Sequence, residues 1–452
     1  MRGAGVSERA INVFSALYDQ LSHGATGLIE ECDVEPLGDL DHVDEVDVSL
    51  EEQRDAAAHT AVIKLNGGLG TTMGMEKAKS LLPVRPGLTF LDVIVGQVQH
   101  VRASLGVDLP LIFMNSFRTR EDTLAHLARY PDLAVDDLPV DFLQSKEPRL
   151  LAEDLAPVTW PDDPELEWCP PGHGDLYTAI STSGVLDQLL DRGITRAFIS
   201  NADNLGATPD PVMMAWFAHS GAPFAAEVCR RTPADVKGGH PVVRRSDGRI
   251  VLRETAQIHP DDKDAARDLT VHRYFNTNSL WIDLEALRDN LDAHDGVLGL
   301  PLIRNVKTVV PTDPQTPEVI QLETAMGAAI EVFDGATAIE VDRARFLPVK
   351  STNDLALLRS DVYEVADDFT VNQTVDEVPA VDLDPRYFKV IRDFEQRLGH
   401  VPSLARASAF TVRGDWSFEP GVVVEGEAEL PDKDEPMVAQ TGSILGTGIA
   451  EG

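Results

Sequence analysis

A run of glycines is the first place in this chain where residue types and spacing could do chemistry. It reads Asn66-Gly67-Gly68-Leu69-Gly70-Thr71-Thr72-Met73-Gly74, with Lys77 and Lys79 close behind. Glycines let a backbone approach a ligand and turn its N–H groups toward phosphate oxygens. No Gly-Lys-Ser/Thr follows, so the loop is not of the Walker type. Met73 stands where the third glycine of a dinucleotide fingerprint belongs. Alone, such a turn is as well explained by chain reversal. Its position, directly after a short apolar strand over 59–65, is that of a ligand-binding turn in an α/β fold.

Other segments offer charge and hydrogen bonds. Asp203 follows the apolar strand 197–200, and a carboxylate at the carboxyl end of a parallel strand points into the ligand crevice. His173 stands between glycines in Gly172-His173-Gly174-Asp175, a tight turn entering a helix that Asp175 is expected to cap. Its ring can donate to a phosphate or sugar oxygen. Lys350 ends the apolar stretch 346–349 and precedes Ser351-Thr352, while Lys237 stands in Asp235-Val236-Lys237-Gly238-Gly239 and Lys307 in Asn305-Val306-Lys307-Thr308. Asn278 and Glu323 offer the amide and the fixed acceptor that suit sugar hydroxyls.

The elements that must position these residues follow an α/β pattern. Ser7 is expected to cap a helix with an apolar stripe at Ile11, Phe14, Tyr18 and Leu21. The acidic run 39–55 reads as a linker. Beyond it, strands are expected over 59–65, 109–114, 140–143, 197–200 and 223–228. Helices are expected over 90–105, after Thr119 as its cap with Glu121 and Asp122 in the first turn, and over 176–190. Such alternation predicts a mixed, mostly parallel sheet with helices on both faces. Residues 240–254 read as a hairpin around Ser246-Asp247-Gly248. Val412, Phe418, Val424 and Leu430 recur every six residues, which suits short coils of a parallel β-helix.

Composition narrows the partners. With 39 basic and 75 acidic residues the formal net charge is -36, a field that repels nucleic acid and leaves any nucleotide site dependent on locally placed lysines. No apolar run reaches bilayer length, so no membrane role is expected. Three cysteines without a CxxC pair argue against a disulfide framework and for the cytoplasm.

At this point the blocks become recognisable. KLNGGLGTTMG over 64–74, followed by Lys79-Ser80-Leu81, closely resembles the eukaryotic-type UTP–glucose-1-phosphate uridylyltransferase family. Further blocks agree in the same order: MNSF, PPGHGDLY, SNADNLGAT, RTPADVKGG, FNTNSLW, VIQLETAMGAAI and RFLPVKSTNDL, over a span of roughly 61–363. One block departs. The family usually carries Cys-Lys-Gly-Pro-Lys where this chain has Met75-Glu76-Lys77-Ala78-Lys79, keeping only the second lysine.

The resemblance implies an α/β, Rossmann-like nucleotidyltransferase domain over 59–380. A helical and acidic segment over 1–58 precedes it, and a small β-helix-like domain over 381–452 follows. It implies reversible, magnesium-dependent uridylyl transfer from UTP to glucose 1-phosphate. Lys79, Lys350 and Asp203 would be catalytic, with Asp203 holding Mg2+. UTP would meet Leu65, Asn66, Gly67, Gly68, Gln144 (on the uracil), Gly172 and Asn201 besides those three. The sugar phosphate would meet His173, Lys237, Asn278 and Glu323. A broad-specificity or N-acetylglucosamine-type pyrophosphorylase is the nearest alternative, though that family typically has Gln at the position of Leu69. A non-catalytic nucleotide-sugar-binding protein would have no need of Lys79, Asp203 and Lys350 together. The acidic positions Glu425, Glu427 and Glu429 oppose close self-approach, so a monomer or small homo-oligomer is expected.

Overall fold

The computed structural model describes residues 1–446 other than 76, 233, 234, 236, 237, 312 and 434. Its centre is a seven-stranded sheet of β1 (Thr60–Asn66), β2 (Leu111–Asn115), β3 (Asp141–Leu143), β4 (Arg196–Asn201), β5 (Phe224–Arg230), β6 (Tyr274–Asp283) and β7 (Thr337–Glu340). The spatial order is β7-β5-β6-β4-β1-β2-β3. All neighbours run parallel except β6, which is antiparallel to both β5 and β4. The expected mostly parallel sheet is therefore present.

Strand periodicity explains why both faces are covered. Val62, Phe113, Phe198 and Trp281 point into one core, while Ile63, Ile112, Ile199 and Leu280 point into the other. The first core takes in Phe90, Ile94 and Val98, and the second takes in Leu176, Ile180 and Leu189. No helix among the described residues is long and apolar enough to cross a membrane.

Local signals locate several helices. Ser7 caps α1 (Glu8–Ser22) by accepting from the Ala10 N–H, and Leu17 and Leu21 pack on Leu302, Ile320 and Leu322. Ser49 and Glu52 form a capping box at the start of α2 (Leu50–Ala58). The acidic run is thus not simply a linker: residues 50–55 of it open this helix, whose Ala56 and Ala57 are buried in the first core. Thr89 and Asp92 do the same for α3 (Phe90–Leu105), which spans the expected residues.

Two expectations are corrected. Thr119 precedes the helix Arg120–Leu127, but its hydroxyl bonds Ser116 instead of capping. The helix expected over 176–190 is two, Leu176–Thr182 and Val185–Asp191, broken where Gly184 takes φ 78°.

The hairpin His240–Arg244 with Ile250–Arg253 forms as read, and Val34–Pro36 adds a third strand to it. Beyond residue 380, Ala380–Leu383, Ser403–Val412, Val423–Leu430 and Ile444–Gly446 stack in parallel, with Trp416–Phe418 on Met437–Ala439 beside them. Val412 and Leu430, three six-residue steps apart, are register partners. All four repeat positions are buried, and their core is continuous with the one beneath β1.

Candidate active site

The parallel strands β1, β2, β3 and β4 end on one edge of the sheet, and their carboxyl ends open into a cleft of about 400 Å³. It is lined by Leu65, Asn66, Gly67 and Gly68 from the end of β1 and the glycine loop, Gln144 after β3, and Asn201 and Asp203 after β4. Lys79, Gly172, His173 and Glu323 complete it from other segments, so most of the residues singled out from the sequence meet here. Lys350 and Asn278 do not line this cleft, and Lys237 lies outside the described residues.

The glycine loop owes its shape to buried polar bonds at its root. The Asn66 amide donates to Asn115 at 2.8 Å and Thr123 at 2.9 Å, and accepts from the Ser80 hydroxyl at 2.5 Å. That side chain is 3% exposed, so Asn66 meets the cleft through its backbone. A Cβ at Gly67 would lie 2.7 Å from the Gln144 Oε1, so a side chain there would push that amide out of its place on the cleft wall. The Lys79 N–H donates to the Gly68 carbonyl at 3.2 Å, which folds the lysine back over the loop.

There the Lys79 ammonium meets the Asp203 carboxylate at 2.7 Å, with the two side chains 14% and 25% exposed. The other oxygen of Asp203 accepts no hydrogen bond among the described residues. The clusters of three metal-ligating side chains found among the described residues lie elsewhere, at Glu30, Cys32 and Asp33 and at His42, Asp44 and Asp342. A divalent ion held by Asp203 in this cleft would take its remaining ligands largely from phosphate and water. Magnesium accepts that arrangement, so the residues present fit it.

His173 is neutral near pH 7. Burial pulls its imidazole down to about 4, and the Met326 N–H donates to its Nδ1 at 2.9 Å. With Nδ1 accepting, the proton sits on Nε2, leaving one donor for a ligand oxygen. Asp175 departs from expectation. It begins the following helix but does not cap it, accepting instead from the Ser145 N–H at 2.5 Å. It thereby ties the His173 turn to the Gln144 wall, and burial pushes its carboxyl up to about 6. Glu323 accepts from Asn305 at 2.8 Å, and burial raises its pKa against that bond and the Lys307 charge.

Lys350 is exposed, but its backbone is tied to the site: the Val349 N–H donates to the Asp203 carbonyl at 3.0 Å. Burial raises the pKa of Glu254, and the Lys350 charge opposes that rise, so the sequence reading missed a carboxylate facing this lysine. Asn278 has φ 57° at an irregularity in the β5–β6 pairing and exchanges hydrogen bonds with Asn276. Lys64 was missed as well. It is fully buried and donates at 2.7 Å to both Ser200 and the Ala207 carbonyl, and its one sequence signal is a lysine inside an apolar strand. A larger cleft of about 940 Å³ adjoins at Gln144 but lacks the glycine loop, Lys79 and Asp203.

The family model described as UTP–glucose-1-phosphate uridylyltransferase matches residues 11–425. A uridylyltransferase of that name from Hordeum vulgare is 39% identical over 376 residues, 82% of this chain and 77% of the relative. A probable one from Schizosaccharomyces pombe is 35% identical over 442 residues, 96% of this chain and 86% of the relative. A UDP-glucose pyrophosphorylase variant from Leishmania major, solved with UDP-glucose, superposes with a TM-score of 0.92 at 41% identity, covering 100% of this chain and 97% of that one. Matched over most of its length, this chain belongs to the UTP–glucose-1-phosphate uridylyltransferase family.

Proposed function

We propose that this chain transfers the uridylyl group of UTP to glucose 1-phosphate, forming UDP-glucose and pyrophosphate, and that it also runs the reverse reaction. A phosphate oxygen of the sugar phosphate attacks the α-phosphorus in line, and the bond to the pyrophosphate oxygen breaks. That oxygen is already ionised near neutral pH, so no protein base is required. What remains is to position two polyanions and neutralise the charge between them.

The pairing of Lys79 with Asp203 at 2.7 Å above the glycine loop carries this reading. It sets a cation for phosphate beside a carboxylate for a divalent ion, where the backbone of Gly67 and Gly68 lines the cleft. Lys79 and Lys350 hold phosphate charge, His173 donates from Nε2, and Gln144 faces the base. Asn278, Glu323 and Lys237 serve the sugar phosphate. Asp203 would hold magnesium, which when bound neutralises phosphate charge as a Lewis acid. The parallel stacking of the strands from residue 380 on supports a small β-helix-like domain over 381–452, after a catalytic domain over 59–380 and an N-terminal segment over 1–58. The three cysteines are unpaired, which supports a cytoplasmic place, and the acidic surface supports a monomer or small homo-oligomer.

Pyrophosphate release across a panel of nucleoside triphosphates and sugar 1-phosphates tests the reading. UTP with glucose 1-phosphate should give the highest kcat/KM, and chelation of divalent metal should abolish it. Undiminished turnover without metal would remove the role given to Asp203.

A further inference from the structure

The loop that carries Asp203 and the segment that carries Lys350 are distant in sequence, yet they run side by side. Asn204 and Pro348 form an antiparallel bridge, and the Val349 N–H donates to the Asp203 carbonyl at 3.0 Å. A Cβ at Gly206 would lie 2.3 Å from the Ala344 carbonyl oxygen, so the two backbones are in contact there.

One side chain joins them. The Asn204 Oδ1 accepts from the Leu347 N–H at 2.7 Å and from the Gly206 N–H at 3.2 Å, while its Nδ2 donates to the Arg345 carbonyl at 3.1 Å. Asn204 is 2% exposed and does not line the cleft, so it has no route to substrate. Both segments are anchored from below. Lys64 bridges Ser200 and the Ala207 carbonyl at the two ends of the Asp203 loop, and Arg345 is held by Glu227 through bonds of 2.8 and 2.7 Å.

We propose that Asn204 is a positioning residue for the uridylyl transfer: by welding these two segments it sets the separation of the Asp203 carboxylate and the Lys350 ammonium. The inference rests on the roles given above to those two groups. Asparagine suits the task because one amide supplies both the acceptor for the Leu347 and Gly206 N–H groups and the donor for the Arg345 carbonyl. Aspartate would lose the donor, and leucine would leave three buried backbone groups without partners. A displacement of about 1 Å between reacting and neutralising groups can cost on the order of a hundredfold in rate. Asn204 touches neither the glycine loop nor Gln144, so those contacts to UTP stay in place when it is altered.

The test is a double-mutant cycle with Lys350. Asn204→Ala should lower kcat by roughly tenfold to a hundredfold while changing the KM for UTP by less than about threefold. The double variant Asn204→Ala/Lys350→Ala should be no slower, within about twofold, than Lys350→Ala alone, because a residue acting through Lys350 has nothing left to place. Multiplicative losses, or an Asn204→Ala enzyme with wild-type kcat and a lowered melting temperature, would reduce Asn204 to a fold-stabilising side chain and overturn the proposal. Asn204→Ser, which can still receive one backbone N–H, takes the place of the alanine variant if that one does not fold. If Lys350→Ala alone retains wild-type kcat, the reading of Lys350 falls first and takes this proposal with it. A slow Lys350→Ala combined with multiplicative losses sinks the proposal alone.

Discussion

Lys64 makes a sharp prediction because its ammonium is buried with no carboxylate in contact among the described residues. It sits in the middle of β1 at 0% exposure, donating to Ser200 and to the Ala207 carbonyl, with Glu227 already taken by Arg345. Burial, and then the Arg345 charge, pull its pKa from 10.5 to about 7, with Glu227 opposing. The sign follows from proton counting. Between about 7 and 10.5 the unfolded chain holds a proton on this lysine that the folded chain has released, so stability rises with pH through that window. Below about pH 7 both states are protonated and the whole penalty, on the order of 5 kcal/mol, is present. Lys64→Met keeps the length of the side chain and removes the charge. It also leaves the Ser200 and Ala207 oxygens without a donor, at about 1–3 kcal/mol each and independent of pH. The slope, not the offset, is therefore the quantity to read. Relative to wild type, the variant should lose about 2 kcal/mol between pH 7 and pH 9. An unfolding entropy of roughly 0.95 kcal/mol/K for a chain of 452 residues turns that into a melting-temperature difference that moves by about 2 °C. Scanning calorimetry of both proteins at several pH values measures it. A difference that stays constant from pH 7 to pH 9 would show that Lys64 is not held near neutrality by its burial.

Lys79→Ala and Lys350→Ala should each cut kcat by at least about a hundredfold, with Lys77→Ala mild as the control; near wild-type turnover in either would remove that lysine from the mechanism. His173→Ala should lose roughly 10–150-fold in kcat/KM, the worth of one hydrogen bond to a charged oxygen. With the imidazole pulled down to about 4, no inflection between pH 5.5 and 8 should vanish in that variant, and one that did would make His173 a titrating group. Light scattering should report a monomer or small oligomer, and a large assembly insensitive to salt would contradict the part given to the acidic C-terminal strands.

Features set by neighbours along the chain were legible from residue types alone. The helix read over 90–105 spans those residues, its start set within one turn by the cap at Thr89 and Asp92, and the hairpin read over 240–254 formed around its turn residues. The capping box at Ser49 and Glu52 was equally local but was passed over within an acidic run. The glycine loop and the carboxylate at the end of β4 were visible because backbone approach and strand-end placement leave residue-type signals. Which way each polar side chain faces was decided only in three dimensions. Asn66 turns inward to Asn115 and Ser80, Asp175 spends its carboxylate on Ser145 instead of its own helix, and the His173 tautomer is set by Met326, 153 positions away. Lys79 and Asp203, 124 positions apart, meet for the same reason. A buried polar atom must take whatever partner the packed fold brings within 3 Å or so, and that partner is chosen by strand order and helix packing, which no local pattern encodes.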